Sequence, residues 1–186
     1  RSHPKMQGMM VHPFSDTQVM AGNATIGVEI LDDLPDVEAI VIAYAGGGLA
    51  CGIASAVRSL KPGVKLYAAE VSTGAPFAAA LGAGKPTVIE YTPTFVDGIG
   101  APRVLPEMFS LAKRLLDGAI VSTPEDIAAA VRIIAEQNHV ISEGAGAASV
   151  AAALTGKAGT GEIACVISGG NIDPQKMIKI LRGEVP

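Results

Sequence analysis

Short apolar runs alternate along this chain with longer segments whose apolar positions recur every three or four residues. The purest run is Ile40-Val41-Ile42-Ala43-Tyr44, the pattern of a strand buried on both faces of a parallel sheet. It ends in Ala45-Gly46-Gly47-Gly48 and passes into an Ala-rich stretch that reads as a helix through Ser59. Val64 to Val71, Ala119 to Val121 and Glu162 to Ile167 read as further strands, and 86–100 holds one more strand-like patch. Helices are predicted over 17–31, 75–83, 106–116, from Ser122 to about His139, from Ala147 to Leu154 and from Gln175 to Leu181. The helix from Ser122 starts most clearly. Thr123-Pro124-Glu125-Asp126 combines a cap, a first-turn proline and acidic residues at the positive dipole end, with Ile127, Val131, Ile134 and Ala135 on the buried face. Strands alternating with helices specify an α/β fold: an open, mostly parallel twisted sheet with helices on both faces. Arg1 to Met10 has no periodicity and is set aside as a disordered tail, leaving 11–186 as a single α/β domain.

Composition narrows the class. Half of the 186 residues are hydrophobic but only 4% are aromatic, and there is no tryptophan, which suits tightly packed helices on a parallel sheet. A net charge of −4 argues against a nucleic-acid partner. Cys51 and Cys165 both sit in apolar segments and read as buried core thiols of a reducing compartment. No apolar run is long enough to span a bilayer and no signal-peptide core is present, so a soluble, cytoplasmic protein is expected.

Candidate chemistry gathers at three turns. Strand, glycine turn, helix N-terminus is a geometry that holds an anion, because glycines admit close approach and unpaired amides point at it. Gly46-Gly47-Gly48 has that form, although such a turn also serves plain tight packing. Glu143-Gly144-Ala145-Gly146 and Ser168-Gly169-Gly170-Asn171 read as two more strand-to-helix corners. Corners at the carboxyl ends of parallel strands converge on one crevice. A phosphate cradle, a carboxylate and a hydroxyl together describe a site for a phosphorylated cofactor. Glu70, at a strand's carboxyl edge, is either part of that crevice or a helix-capping or solvated carboxylate.

The segments HPFSDTQVMAGNATIGVEIL (12–31), AGGGLACGI (45–53), VDGIGAPR (96–103), SEGAGAA (142–148) and ISGGNID (167–173) follow one another in an order specific to one enzyme group. The chain resembles the C-terminal, large-domain portion of the threonine/serine dehydratases that depend on pyridoxal 5'-phosphate, the fold type II group that includes serine racemase. The resemblance implies a β-elimination that turns L-threonine or L-serine into a 2-oxo acid and ammonia. It assigns the cofactor's phosphate to the amides of Gly46, Gly47 and Gly48, with Leu49 beside them in the cofactor site and Ala45 standing where the family carries another glycine. Ser168 matches the serine that bonds the pyridine nitrogen, a neutral partner that weakens the electron sink and suits elimination. Glu143 and Gly98 match positions beside the cofactor ring, and Asn171 is expected to hold the Ser168 turn. Glu70 matches the first ligand of a cation site, but Ala75-Pro76 stands where a second carboxylate would follow, so no metal is expected.

The family's Schiff-base lysine and its Ser-x-Gly-Asn-His loop have no counterpart in these residues, so no catalytic residue is assigned. Lys61, Lys65, Lys85, Lys113, Lys157, Lys176 and Lys179 read as solvated charges in turns or on polar helix faces, and Lys5 as a tail residue. The expectation is a cofactor-domain half that is inactive alone, lacks the N-terminal lysine-bearing portion, and forms a homo-oligomer or pairs with the missing half. The alternative is a stand-alone, non-catalytic α/β module that binds a phosphorylated small molecule or a partner protein. Nucleotide binding at the glycine turn ranks lower, because neither a Walker lysine nor a GxGxxG fingerprint is present.

Overall fold

The computed structural model describes residues 11–186. The reading of residues 1–10 as a disordered tail, and of Lys5 within it, lies outside the described residues. Helix α1 (Thr17–Asp33) is capped by Asp16, whose carboxylate accepts from the amides of Gln18 and Val19. Strand β1 (Ala39–Ala43) leads through the glycine turn into α2 (Gly48–Leu60), and β2 (Lys65–Val71) is followed by α3 (Pro76–Ala83) and α4 (Pro106–Leu115). Then come β3 (Gly118–Ser122), α5 (Pro124–Ile133), α6 (Gly144–Leu154), β4 (Ile163–Cys165) and α7 (Pro174–Leu181).

Every pairing is parallel and the sheet order is β3-β2-β1-β4. Side chains alternate across it. Ile40 and Ile42 join a core under α2, α3 and α4, while Val41 and Ala43 join a second core under α5, α6 and α7. The chain winds from β1 to β2 to β3 in one direction and then returns to the far side of β1. Reversing the direction of winding puts the later crossovers on the opposite face, as right-handed connections require. Open sheets bind ligands outside the carboxyl ends of the strands where the winding reverses, here between β1 and β4.

Four local readings need correction. The helix expected to reach His139 leaves α geometry at Ile133 and continues as a π-helix over Ile134–Asn138; His139 ends it with φ of 57°. The strand-like patch in 86–100 forms no strand. It is an irregular segment in which the Tyr91 ring packs against Gly74 and Gly100. The last strand is shorter than its apolar run, and Cys165 on it is half-buried, unlike the fully buried Cys51. Finally, α6 begins at Gly144, so Glu143 is its cap residue, and the segment before it is not a strand.

Two small residues bring α1 onto α2. A Cβ on Gly52 would lie 2.5 Å from the Met20 carbonyl oxygen, and one on Gly27 would lie 2.8 Å from that of Ile53. Behind α2, Arg58 donates to the carbonyls of Leu115, Pro62 and Val64 and pairs with Asp117, whose carboxylate also accepts from the Leu66 amide. The helix contact gives a test by urea unfolding. Gly52→Ala forces backbone apart and is expected to lower stability by about 1–3 kcal/mol. In Gly82→Ala the new methyl meets nothing within 4 Å, and it should raise stability by roughly 0.5–1 kcal/mol.

Candidate functional site

The glycine turn sits at the reversal of winding and is shaped by its neighbours. Gly47 caps α2 with φ of 90°, a left-handed conformation that an L side chain resists, and no side chain caps the helix. An added Cβ there would approach the Tyr44 hydroxyl to 2.9 Å. On the other side the Phe14 ring lies flat on Gly46, 2.0 Å from where its Cβ would be, and the Pro13 and Phe14 carbonyls cover Gly48 at 2.8 and 2.9 Å. Residues 12–15 thus cross the turn as a strap. His12 Nδ1 holds the strap closed by accepting from the Phe14 and Ser15 amides at 3.3 and 3.2 Å.

A cavity of about 200 Å³ opens at this turn. Gly46, Gly47, Gly48 and Leu49 line one wall, Ser168 and Glu143 another, and Gly98 a third. The three groups of residues that sequence reasoning singled out therefore meet in one place. Glu143 joins two of them: its amide donates to the Gly169 carbonyl at 3.0 Å, and Oε1 would lie 2.5 Å from a Cβ on Gly169 and 3.6 Å from one on Gly98. Asn171 falls outside, in an adjoining cavity of about 360 Å³ that also takes Glu143, Asp97 and Lys176. Lys176 lies at the rim of that cavity, its side chain 38% exposed, with Nζ 3.4 Å from Asp97 in a solvent-exposed pair. Among the described residues no lysine lines the cavity at the glycine turn.

Glu70 is not in that crevice. It points into the α2 and α3 side of the sheet, is fully buried, and accepts from the amides of Phe77 and Ala78 at 2.8 and 2.7 Å. It therefore caps α3. Among the described residues no cluster of three or more carboxylate, histidine or cysteine side chains is placed to hold a metal. Burial pushes the Glu70 carboxyl up to about 7, against the two amide bonds that pull it down. Nearby Tyr44 stacks on Phe77 at 4.5 Å between ring centres, and its buried hydroxyl finds no partner among the described residues. Burial, with the neighbouring Cys51 and Glu70, moves that phenol further above its ordinary range; burial also pushes the Cys51 thiol up to about 12.

Sequence reasoning missed Phe14, Asn23, Ile99 and Ala145 as wall residues, and Tyr44 as the side chain packed against Gly47. A tyrosine ending an otherwise aliphatic buried strand, directly before a glycine turn, was the available signal for the last.

The residues fit a phosphate monoester on a flat ring. A Cβ at any of the three glycines would collide with the Phe14 ring, Tyr44 or the strap carbonyls and displace the turn, the start of α2 lacks a side-chain cap, and a hydroxyl and a carboxylate line the cavity beside it. Comparison agrees: the family model described as pyridoxal-phosphate dependent enzyme matches residues 5–169. The chain belongs to that family. Among curated relatives, the L-threonine ammonia-lyase of Thermotoga maritima is 40% identical over 182 residues, covering 97% of this chain and 45% of that protein. The catabolic L-threonine dehydratase of Escherichia coli K12 is 32% identical, covering 95% of this chain and 55% of that one. The solved structure of the processed form of threonine deaminase isoform 2 from Solanum lycopersicum superposes with a TM-score of 0.84 at 29% identity, over 93% of this chain and 52% of that chain. Maize serine racemase gives 0.83 at 27%, over 92% and 56%. The chain thus spans about half the length of the relatives it matches. The four-stranded parallel sheet and its helices are similar to the fold of pyridoxal-phosphate enzymes of fold type II.

Glu70 makes stability depend on pH. Its folded value lies above its unfolded one, so the native state holds an extra proton between about 4.5 and about 7. The contribution is fully present below that window and is lost as pH rises through it, by up to roughly 3 kcal/mol. Urea midpoints should fall between pH 5 and pH 8, and Glu70→Gln should flatten the curve. An unchanged slope in that variant would move the cause elsewhere.

Proposed function

We propose that this chain is the phosphate-gripping half of a pyridoxal-phosphate dependent threonine/serine ammonia-lyase. The observation that carries the reading is the single cavity shared by the glycine turn, Ser168 and Glu143. When bound, pyridoxal phosphate supplies the electron sink that lets a hydroxyl leave from the β-carbon of an amino acid. This chain's part is to bind and orient. The amides of Gly46, Gly47, Gly48 and Leu49, with the α2 dipole behind them, take the phosphate dianion. Ser168 offers the ring nitrogen a neutral hydroxyl, which donates a hydrogen bond without giving up its proton. Glu143, held between Gly98 and Gly169, sets the tilt of the ring, and Asn171 steadies the turn from the adjoining cavity. The lysine that tethers the cofactor belongs to the part of the relatives that this chain does not span, since no described residue lining this cavity is a lysine.

The test is equilibrium dialysis of pyridoxal phosphate against the chain, with absorbance spectra of the bound fraction. Saturable binding with the spectrum of the free aldehyde is expected. Ser168→Ala should weaken it about 3- to 10-fold, the value of one hydrogen bond. Gly47→Ala should weaken it at least about tenfold through the displaced amides. Absence of saturable binding, or indifference to both substitutions, would overturn the reading.

A further inference from the structure

Among the described residues, three polar side chains line the cavity at the glycine turn: Ser168, Glu143 and Asn23. The first two stand at the corners after β4 and before α6. Asn23 comes from α1, which supplies none of those corners, and the function proposed above gives it no part.

Its place is set by the contact between two helices. A Cβ on Gly52 would lie 2.5 Å from the Met20 carbonyl oxygen and 2.8 Å from the Asn23 Cβ, so the bare backbone of Gly52 lets Asn23 stand this close. Gly52 is about one turn into α2, which opens at Gly48. Asn23 therefore stands beside the first turn of α2, at the glycine end of the cavity, while Ser168 and Glu143 form another wall. It is half-buried, and among the described residues its carboxamide has no hydrogen-bond partner. An asparagine kept for capping bonds a backbone group, as Asp16 does at the start of α1. Asn23 bonds none there.

The cavity has a use for such a group. A phosphate monoester near neutral pH carries almost two negative charges on three strong acceptor oxygens. No lysine, arginine or histidine is among the described residues that line the cavity, and Glu143 adds a charge of the same sign. Compensation must then come from neutral donors. Within α2 the Cys51 amide is committed to the Gly47 carbonyl at 2.8 Å, which leaves the amides of Gly48, Leu49 and Ala50 without an intrahelical partner. A carboxamide adds two N–H donors and no charge.

We propose that Asn23 is the side-chain donor of the phosphate cradle, its carboxamide N–H groups taking an oxygen of the anion from the α1 side. The bound anion then ties α1 to α2. That the anion is the phosphate of pyridoxal phosphate rests on the function proposed above; the role of Asn23 toward a phosphate group does not.

The experiment follows the backbone-amide and side-chain carboxamide NMR signals of the isotope-labelled chain as inorganic phosphate, and separately pyridoxal phosphate, is added. Asn23→Leu, close in shape, identifies the Asn23 carboxamide signals by their loss. In the unsubstituted chain those signals are expected to shift with either compound and to saturate together with the amides of Gly48 and Leu49. Asn23→Leu should weaken binding of both compounds about 3- to 10-fold, the value of one hydrogen bond. Asn23→Asp puts a like charge in place of the donor and should weaken it at least about tenfold. The shift in the unsubstituted chain does not depend on either variant folding. Turn amides that shift while the Asn23 carboxamide stays still, or two folded variants that bind as tightly as the parent, would overturn the proposal and leave the site itself standing. Inorganic phosphate moving both sets while pyridoxal phosphate moves neither would count against the proposed cofactor and for Asn23. Turn amides indifferent to both compounds would overturn both.

Discussion

The turn from β1 into α2 is the constraint that the rest of the structure serves. A buried strand must hand over to a helix within four residues, at the point where the winding of the sheet reverses. Gly47 does this in a left-handed conformation, over the Tyr44 ring and under the Phe14 strap, with no room for a side chain at any of the three positions. What results is a set of amides that no side chain caps, held by packing on both sides. Such a set attracts an anion, and the reversal of winding brings the β4 turn with Ser168 alongside it.

Burial beneath the turn has an electrostatic consequence. Tyr44, Cys51 and Glu70 are polar groups placed in the core between α2 and α3, and each is driven toward its neutral form there. Glu70 is the exception in function, since it also caps α3 through two amide bonds. The core behind the turn therefore carries little negative charge below pH 7. A dianionic phosphate above it meets amide dipoles with weak opposition.

Much of this was legible in the residues. The α/β alternation, the parallel sheet and the glycine turn follow from runs such as Ile40 to Tyr44, whose apolar continuity leaves few other readings. Helix α5 announced its start through Thr123 and Asp126, which do form the reciprocal cap. Its end was not legible, because the π-helix over Ile134–Asn138 keeps the same buried face at first and stops at a left-handed His139 that no glycine or proline marks. Glu70 looked like a crevice residue because only its position along β2 could be read. Which face it takes depends on register, and Glu70 shares the face of Leu66 and Ala68. Cys165 was misjudged for the converse reason: an aliphatic run gives no sign that the strand lies at an edge.

The proposed function rests on one physical statement: the amides opening α2 hold the phosphate of pyridoxal phosphate. A crystal structure of the chain grown with that compound tests it most directly. The account predicts phosphate oxygens at hydrogen-bond distance from the amides of Gly47, Gly48 and Leu49, with the ring nitrogen toward Ser168. A well-ordered molecule bound elsewhere on the chain, with the glycine turn empty, would contradict it.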